Sequence, residues 1–198
     1  MNLRLKAVNL FLLPSIRRRK LRQLVDTTAT AFGVEPPDLR GLSFGGALQV
    51  YSVFTRNEAL RWNVQSDKRT LIKNRLFECG CQMGAELRRM LRVRTRQDVV
   101  DAARILYRLL SIDFRGEEGD GFSIKQCSFS TFYTDDVCKI ISSLDEGLIA
   151  GLSDGAELRF LNMMTEGHDR CSGSITFKGT TDETSNRGGH RCWWCNRG

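Results

Sequence analysis

Residues 134–152 read TDDVCKIISSLDEGLIAGL. Val137, Ile140, Ile141, Leu144, Leu148 and Leu152 recur at steps of three and four, which lays them along one face of a helix. Thr134 starts that helix, Asp135 and Asp136 stand in its first turn where the helix dipole favours negative charge, and Ser153-Asp154-Gly155 ends it. Cys138, Ser142 and Asp145 follow one another at steps of four and three, so at about 100° per residue they share a face beside the apolar stripe.

On either side of this helix the period changes. Gly121 to Ser130 alternates, with Phe122 and Ile124 on one face and Ser123, Lys125 and Cys127 on the other, and predicts a strand. Glu157–Met164 and Ser172–Lys178 predict two more strands, joined by the turn Glu166-Gly167-His168-Asp169-Arg170. The order is therefore strand, helix, hairpin, and the polar, glycine-rich residues 179–198 predict a flexible tail.

The earlier part of the chain reads as helix. Leu21, Leu24, Val25, Thr28 and Phe32 predict a first helix, closed by Gly33 and the Pro36-Pro37 pair, and a second covers Leu48 to Trp62. From Lys68 to Val93 the stripe Ile72, Leu76, Cys79, Met83, Leu87 and Met90 predicts a long amphipathic helix, with Arg88, Arg92 and Arg96 on its solvated flank. Thr95 and Asp98 form a capping box that opens a helix carrying Val99, Ala103, Leu106 and Leu110 and ending near Ser111. The glycine-rich acidic stretch from Gly116 to Gly121 predicts an exposed turn and an internal boundary. The expected fold is α+β, a single domain with a basic helical part over 1–115, a strand–helix–hairpin part over 116–178 and a tail over 179–198.

Composition agrees with one domain: 198 residues with 41% hydrophobic content can bury one core, and 27% charged residues with three prolines argue against disorder. The apolar stretch Leu10–Leu13 is cut by Pro14 and followed by Arg17-Arg18-Arg19-Lys20, far short of the about 20 apolar residues of a spanning helix. No secretory signal is recognisable, so a cytoplasmic location, reduced thiols and no membrane partner are expected. Residues 1–115 hold 22 Lys/Arg against 10 Asp/Glu, while residues 116–198 hold 8 against 13, giving the overall +7. Such a basic half can dock an acidic surface, but no nucleic-acid-reading motif accompanies it, so nucleic acid is not an expected partner.

Chemistry concentrates in few places. A thiol, a hydroxyl and a carboxylate on one helix face can line a pocket, with Cys138 as nucleophile or ligand, although small buried cysteines are also common in cores. The two histidines are His168, in the predicted hairpin turn, and His190, in the tail. Cys192 and Cys195 are spaced as half of a tetrahedral zinc site, so the cofactor expectation is none or zinc at that pair. Cys79-Gly80-Cys81 has one intervening residue and lies mid-helix, a poor zinc geometry. Phosphate loop, dinucleotide fingerprint, His-Glu-x-x-His and Gly-x-Ser-x-Gly motifs are all missing from the sequence.

Cys127, Cys138, the run Leu144-Asp145-Glu146-Gly147-Leu148-Ile149-Ala150-Gly151-Leu152 and then Glu166-Gly167-His168-Asp169-Arg170-Cys171 resemble the L-2-amino-thiazoline-4-carboxylic acid hydrolase family. More distantly they resemble the V4R (4-vinyl reductase) ligand-binding domains, over residues 127–178. The resemblance implies helices packed on an antiparallel sheet with a ligand cavity between them. Where zinc-carrying V4R sensors have Glu-x-x-Cys, this chain has Phe160 and Met163, which implies that this zinc site is lost. Many hydrolase-like members carry a second cysteine three residues before the aspartate, where this chain has Ser142.

Three functions follow as expectations. The first is a V4R-like protein that binds a small organic molecule in a cavity lined by Cys127, Cys138, Ser142, Asp145 and Cys171. The second is a hydrolase of a small cyclic C–N substrate, with Cys138 as nucleophile, Asp145 as acid/base and His168 as proton carrier. The third is a non-catalytic interaction module, and a homodimer is compatible with any of them.

Overall fold

The computed structural model of the chain describes residues 14–177 and Leu5. Four helices come first: α1 (Pro14–Phe32), α2 (Phe44–Trp62), α3 (Ser66–Leu91) and α4 (Arg96–Leu109). A short hairpin, β1 (Phe114–Gly116) and β2 (Gly121–Ile124), leads through a loop into α5 (Asp135–Ser153), and β3 (Glu157–Asn162), a 3-10 turn (Met164–Glu166) and β4 (Cys171–Thr176) complete the order. The strands form one antiparallel sheet in the order β1-β2-β4-β3, so the last strand inserts beside β2 and welds the two hairpins together. The fold is α+β, with five described helices on a small antiparallel sheet.

Local chemistry accounts for the element ends. The Ser43 hydroxyl accepts from Gly46 N at the start of α2, and Thr134 accepts from Val137 N at the start of α5. Thr95 and Asp98 make the reciprocal capping box at α4, the carboxylate accepting from the Thr95 amide at 3.2 Å. Asp154 closes α5 in the left-handed region (φ 70), and Gly155 follows.

α5 organises the core because its two halves serve different neighbours. Val137, Ile140, Ile141 and Leu144 pack with Leu21, Val25, Tyr51, Ile72 and Leu76 in an all-helical cluster. Leu148, Ile149 and Leu152 pack with Val99, Ala103, Phe114, Phe122, Ile124 and Ile175 in a second cluster over the sheet. Burying a side chain of this size contributes about 1.5–3 kcal/mol, so the helix is held strongly at both ends. A run of rings, Tyr107 on Phe114 on Phe122, stacks at 5.1 and 5.4 Å between centroids, and Phe122 meets Phe160 edge-on at 5.3 Å.

α3 and α5 run parallel and touch backbone to backbone. A Cβ at Gly80 would collide with the Leu144 carbonyl, one at Gly84 with that of Leu148, one at Gly147 with that of Phe77, and one at Gly151 with that of Cys81. Two glycines four residues apart on each helix thus interlock reciprocally, and only the missing side chains permit the approach.

Several sequence expectations need adjustment. Of the stripe expected on α3, Ile72, Leu76 and Leu87 are buried, but Gly80, Cys81, Gly84 and Leu91 complete the buried face while Met90 is 49% exposed, because the central contact with α5 is made by glycines that carry no hydrophobic signal. The strand expected from Gly121 to Ser130 stops at Ile124; beyond it the chain turns, with Ser130 N bonded to Cys127 O and Tyr133 N to Phe129 O. Ser123, expected on the polar face, is buried between β1 and β4. The sheet begins at Phe114, just before the expected boundary at 115/116, so the Gly116–Gly121 stretch is a hairpin loop within it. The helices α1 and α2 begin at Pro14 and Phe44, ahead of the expected Leu21 and Leu48.

Candidate functional site

The two core clusters do not close completely where they meet. At that junction lies a cavity of about 120 Å³ with almost wholly apolar walls. Cys138 enters it from the first turns of α5, followed on the same face by Ser142 and Asp145, as their spacing requires. Cys127 enters from the loop after β2, which the Ser128 hydroxyl pins by donating to Leu110 O at 2.7 Å. Cys171, at the head of β4, enters from the sheet, its sulfur accepting from Met164 N at 3.4 Å. The five residues expected to line a ligand pocket therefore line this one cavity.

His168 does not join them. It lies exposed in the turn before β4 and is not part of the cavity wall, so it offers no proton to Cys138. Cys192, Cys195 and His190 lie outside the described residues. Among the described residues no group of three or more His, Cys, Asp or Glu side chains is arranged to hold a metal ion. No helix among them is long and apolar enough to cross a membrane.

Tyr107 of α4 is a site residue that the sequence does not single out. Its hydroxyl donates to Asp145 Oδ1 at 2.8 Å. The signal for it was partial: Ala103, Leu106, Tyr107 and Leu110 continue the inward stripe of α4, but nothing in the sequence links Tyr107 to a carboxylate 38 residues later. Asp145 lines the cavity and keeps part of its surface accessible. No described group hydrogen-bonds its second oxygen, Oδ2.

Burial sets the charge states. Loss of solvation raises the Asp145 carboxyl from its ordinary 3.8 to about 7, against the smaller opposing pull of the Tyr107 hydrogen bond. Burial pushes the Cys138 thiol up to about 12 and the Cys127 thiol up to about 11, and it raises Cys171 too. Tyr107 moves well above its ordinary value through burial and the neighbouring Asp145. At neutral pH the three thiols are therefore protonated, soft and weakly polar, and none has the cation or base that would make it a thiolate nucleophile. The Thr165 hydroxyl is buried beside Cys138 and has no full hydrogen-bond partner.

The cavity has a second polar place, at its edge on α1. Lys20 and Gln23 contribute to the wall there, and Lys20 Nζ donates to Gln23 Oε1 at 2.8 Å. Gln23 and Met83 also line an open groove between α1 and α3.

No protein-family model matches the chain, and neither curated proteins nor solved structures gave a match.

Proposed function

We propose that this chain binds a small organic molecule in the cavity between its two core clusters, which Asp145 and Tyr107 line together with apolar side chains. One observation carries the reading: a cavity of about 120 Å³ with almost wholly apolar walls lies between the two core clusters, and few polar groups, among them the Tyr107–Asp145 pair, line it. Apolar walls with a few converging polar groups are the usual chemistry of a small-molecule site. Cys127, Cys138 and Cys171 add polarisable contacts to the wall.

The hydrolytic reading has less support. It requires a thiolate at Cys138, whose thiol burial raises to about 12, and a proton carrier at His168, which is exposed away from the wall.

Native mass spectrometry of the purified chain, compared with its mass after denaturation, tests the binding reading. A stoichiometric organic adduct lost on denaturation is expected, and it should disappear when Cys138→Phe fills the cavity. A bare native mass, together with failure of a broad panel of small apolar compounds to raise the melting temperature, would overturn it.

A further inference from the structure

We infer that the ligand is an anion, a compact apolar monocarboxylate whose head group is held by Lys20 and Gln23 at the α1 edge of the cavity. This rests on the binding reading above and adds the chemical class.

Lys20 is half-buried and contributes to the cavity wall, yet its one hydrogen-bond partner is the neutral Gln23 side chain. No carboxylate of the described residues lies within ion-pair distance of its ammonium group. Glu86 on α3 is near enough to act on it electrostatically without pairing, and Arg19 opposes that influence. Burial and Arg19 both lower the Lys20 pKa, so the ammonium is under-compensated where it sits. A buried cation is ordinarily paired, and Lys20, half-buried at the cavity wall, has no anionic partner among the described residues.

Gln23 makes the arrangement directional. Its Oε1 accepts from Lys20, which turns the amide so that Nε2, with two donor hydrogens and no partner among the described residues, is left for another acceptor. The ammonium and the amide together present donors from two neighbouring side chains, which suits the two oxygens of one carboxylate. The groove beside this edge shares Gln23 and Met83 with the cavity and is lined by Arg19 and Arg22 as well as by Asp26 and Glu86. It carries no net charge of its own, so Lys20 supplies the preference for an anion. A cavity of about 120 Å³ accommodates a short chain or a single ring behind the head group, not a long lipid.

Hexanoate and hexanamide share size and shape and differ in charge, and calorimetric titration of the refolded full chain at pH 7.5 compares them. The wild type is expected to bind hexanoate roughly tenfold more tightly than hexanamide, the scale of a charge-assisted hydrogen bond. Lys20→Met should weaken hexanoate by about that factor and leave hexanamide within roughly twofold, and Lys20→Arg should keep the preference. Equal affinity of the two probes for the wild type, or a preference unchanged in Lys20→Met, would overturn the anion assignment while leaving the cavity reading intact. No binding of either probe to any of the three proteins would also overturn the assignment of a compact apolar monocarboxylate, and the cavity reading would then stand or fall on the native mass and the broad panel.

Discussion

Replacing Asp145 by asparagine removes a group whose ionisation opposes folding, and the effect has a defined pH dependence. The carboxyl titrates near 7 when folded and near its ordinary 3.8 when unfolded. A raised carboxyl pKa means that the folded chain holds the proton more tightly than the unfolded chain does. The contribution is therefore fully favourable below the unfolded value, is lost as pH rises between the two values, and is gone above the folded one. From these two values the penalty is about 2 kcal/mol at pH 5 and about 4 kcal/mol at pH 8. The introduced amide keeps an oxygen for the Tyr107 hydroxyl, and any change in packing contributes equally at both pH values. Urea unfolding of both proteins, refolded from denaturant to remove bound molecules, should thus show Asp145→Asn gaining about 2 to 3 kcal/mol on the wild type between pH 5 and pH 8. A difference between the two proteins that does not change with pH would refute the placement of an enclosed carboxyl at the cavity.

Tyr107→Phe deletes the hydroxyl that stabilises the charged form of Asp145, so the carboxyl midpoint followed by carbon-13 NMR should move above 7; an unchanged midpoint would contradict the 2.8 Å contact. Gly147→Ala drives a methyl group into the Phe77 carbonyl and should lower stability by about 3 kcal/mol or more, whereas Gly45→Ala, in open space on α2, should change it by less than about 1 kcal/mol. Equal urea midpoints for these two variants would show that α3 and α5 do not interlock. Thiols held near 11 and 12 are almost entirely protonated at pH 8, so Cys127 and Cys138 should be alkylated by iodoacetamide at least about a hundredfold more slowly in the folded chain than in urea. Peptide mapping that finds Cys138 labelled at the unfolded rate would restore it as a nucleophile.

What the sequence made legible depended on whether a signal was local. The α5 stripe and the one-face placement of Cys138, Ser142 and Asp145 follow from a period of 3.6, so the cavity-facing side of that helix was readable. The reciprocal capping box at Thr95 and Asp98 was equally local. The stripe on α3 locates Ile72, Leu76 and Leu87 but not the middle of the buried face, whose contacts are Gly80 and Gly84, residues whose value lies in having no side chain. The strand after Gly121 was read too long because alternation persists through Cys127, whereas hydrogen bonds among Cys127, Phe129, Ser130 and Tyr133 turn the chain away. Tyr107 and Lys20 reach the site through tertiary packing alone, and residues from α1, α4, α5, the loop and the sheet meet there with no sequence pattern in common.

The most direct test of the account is a set of intermolecular NOEs between bound hexanoate and the methyl groups of the refolded chain. Cross-peaks to Ile141, Leu144 and Leu148, which line the cavity, are expected, with none to the exposed Val64 and Leu161, which are 74% and 71% exposed. Cross-peaks confined to surface methyls such as these, with the cavity methyls silent at saturating probe, would contradict a ligand site between the two cores.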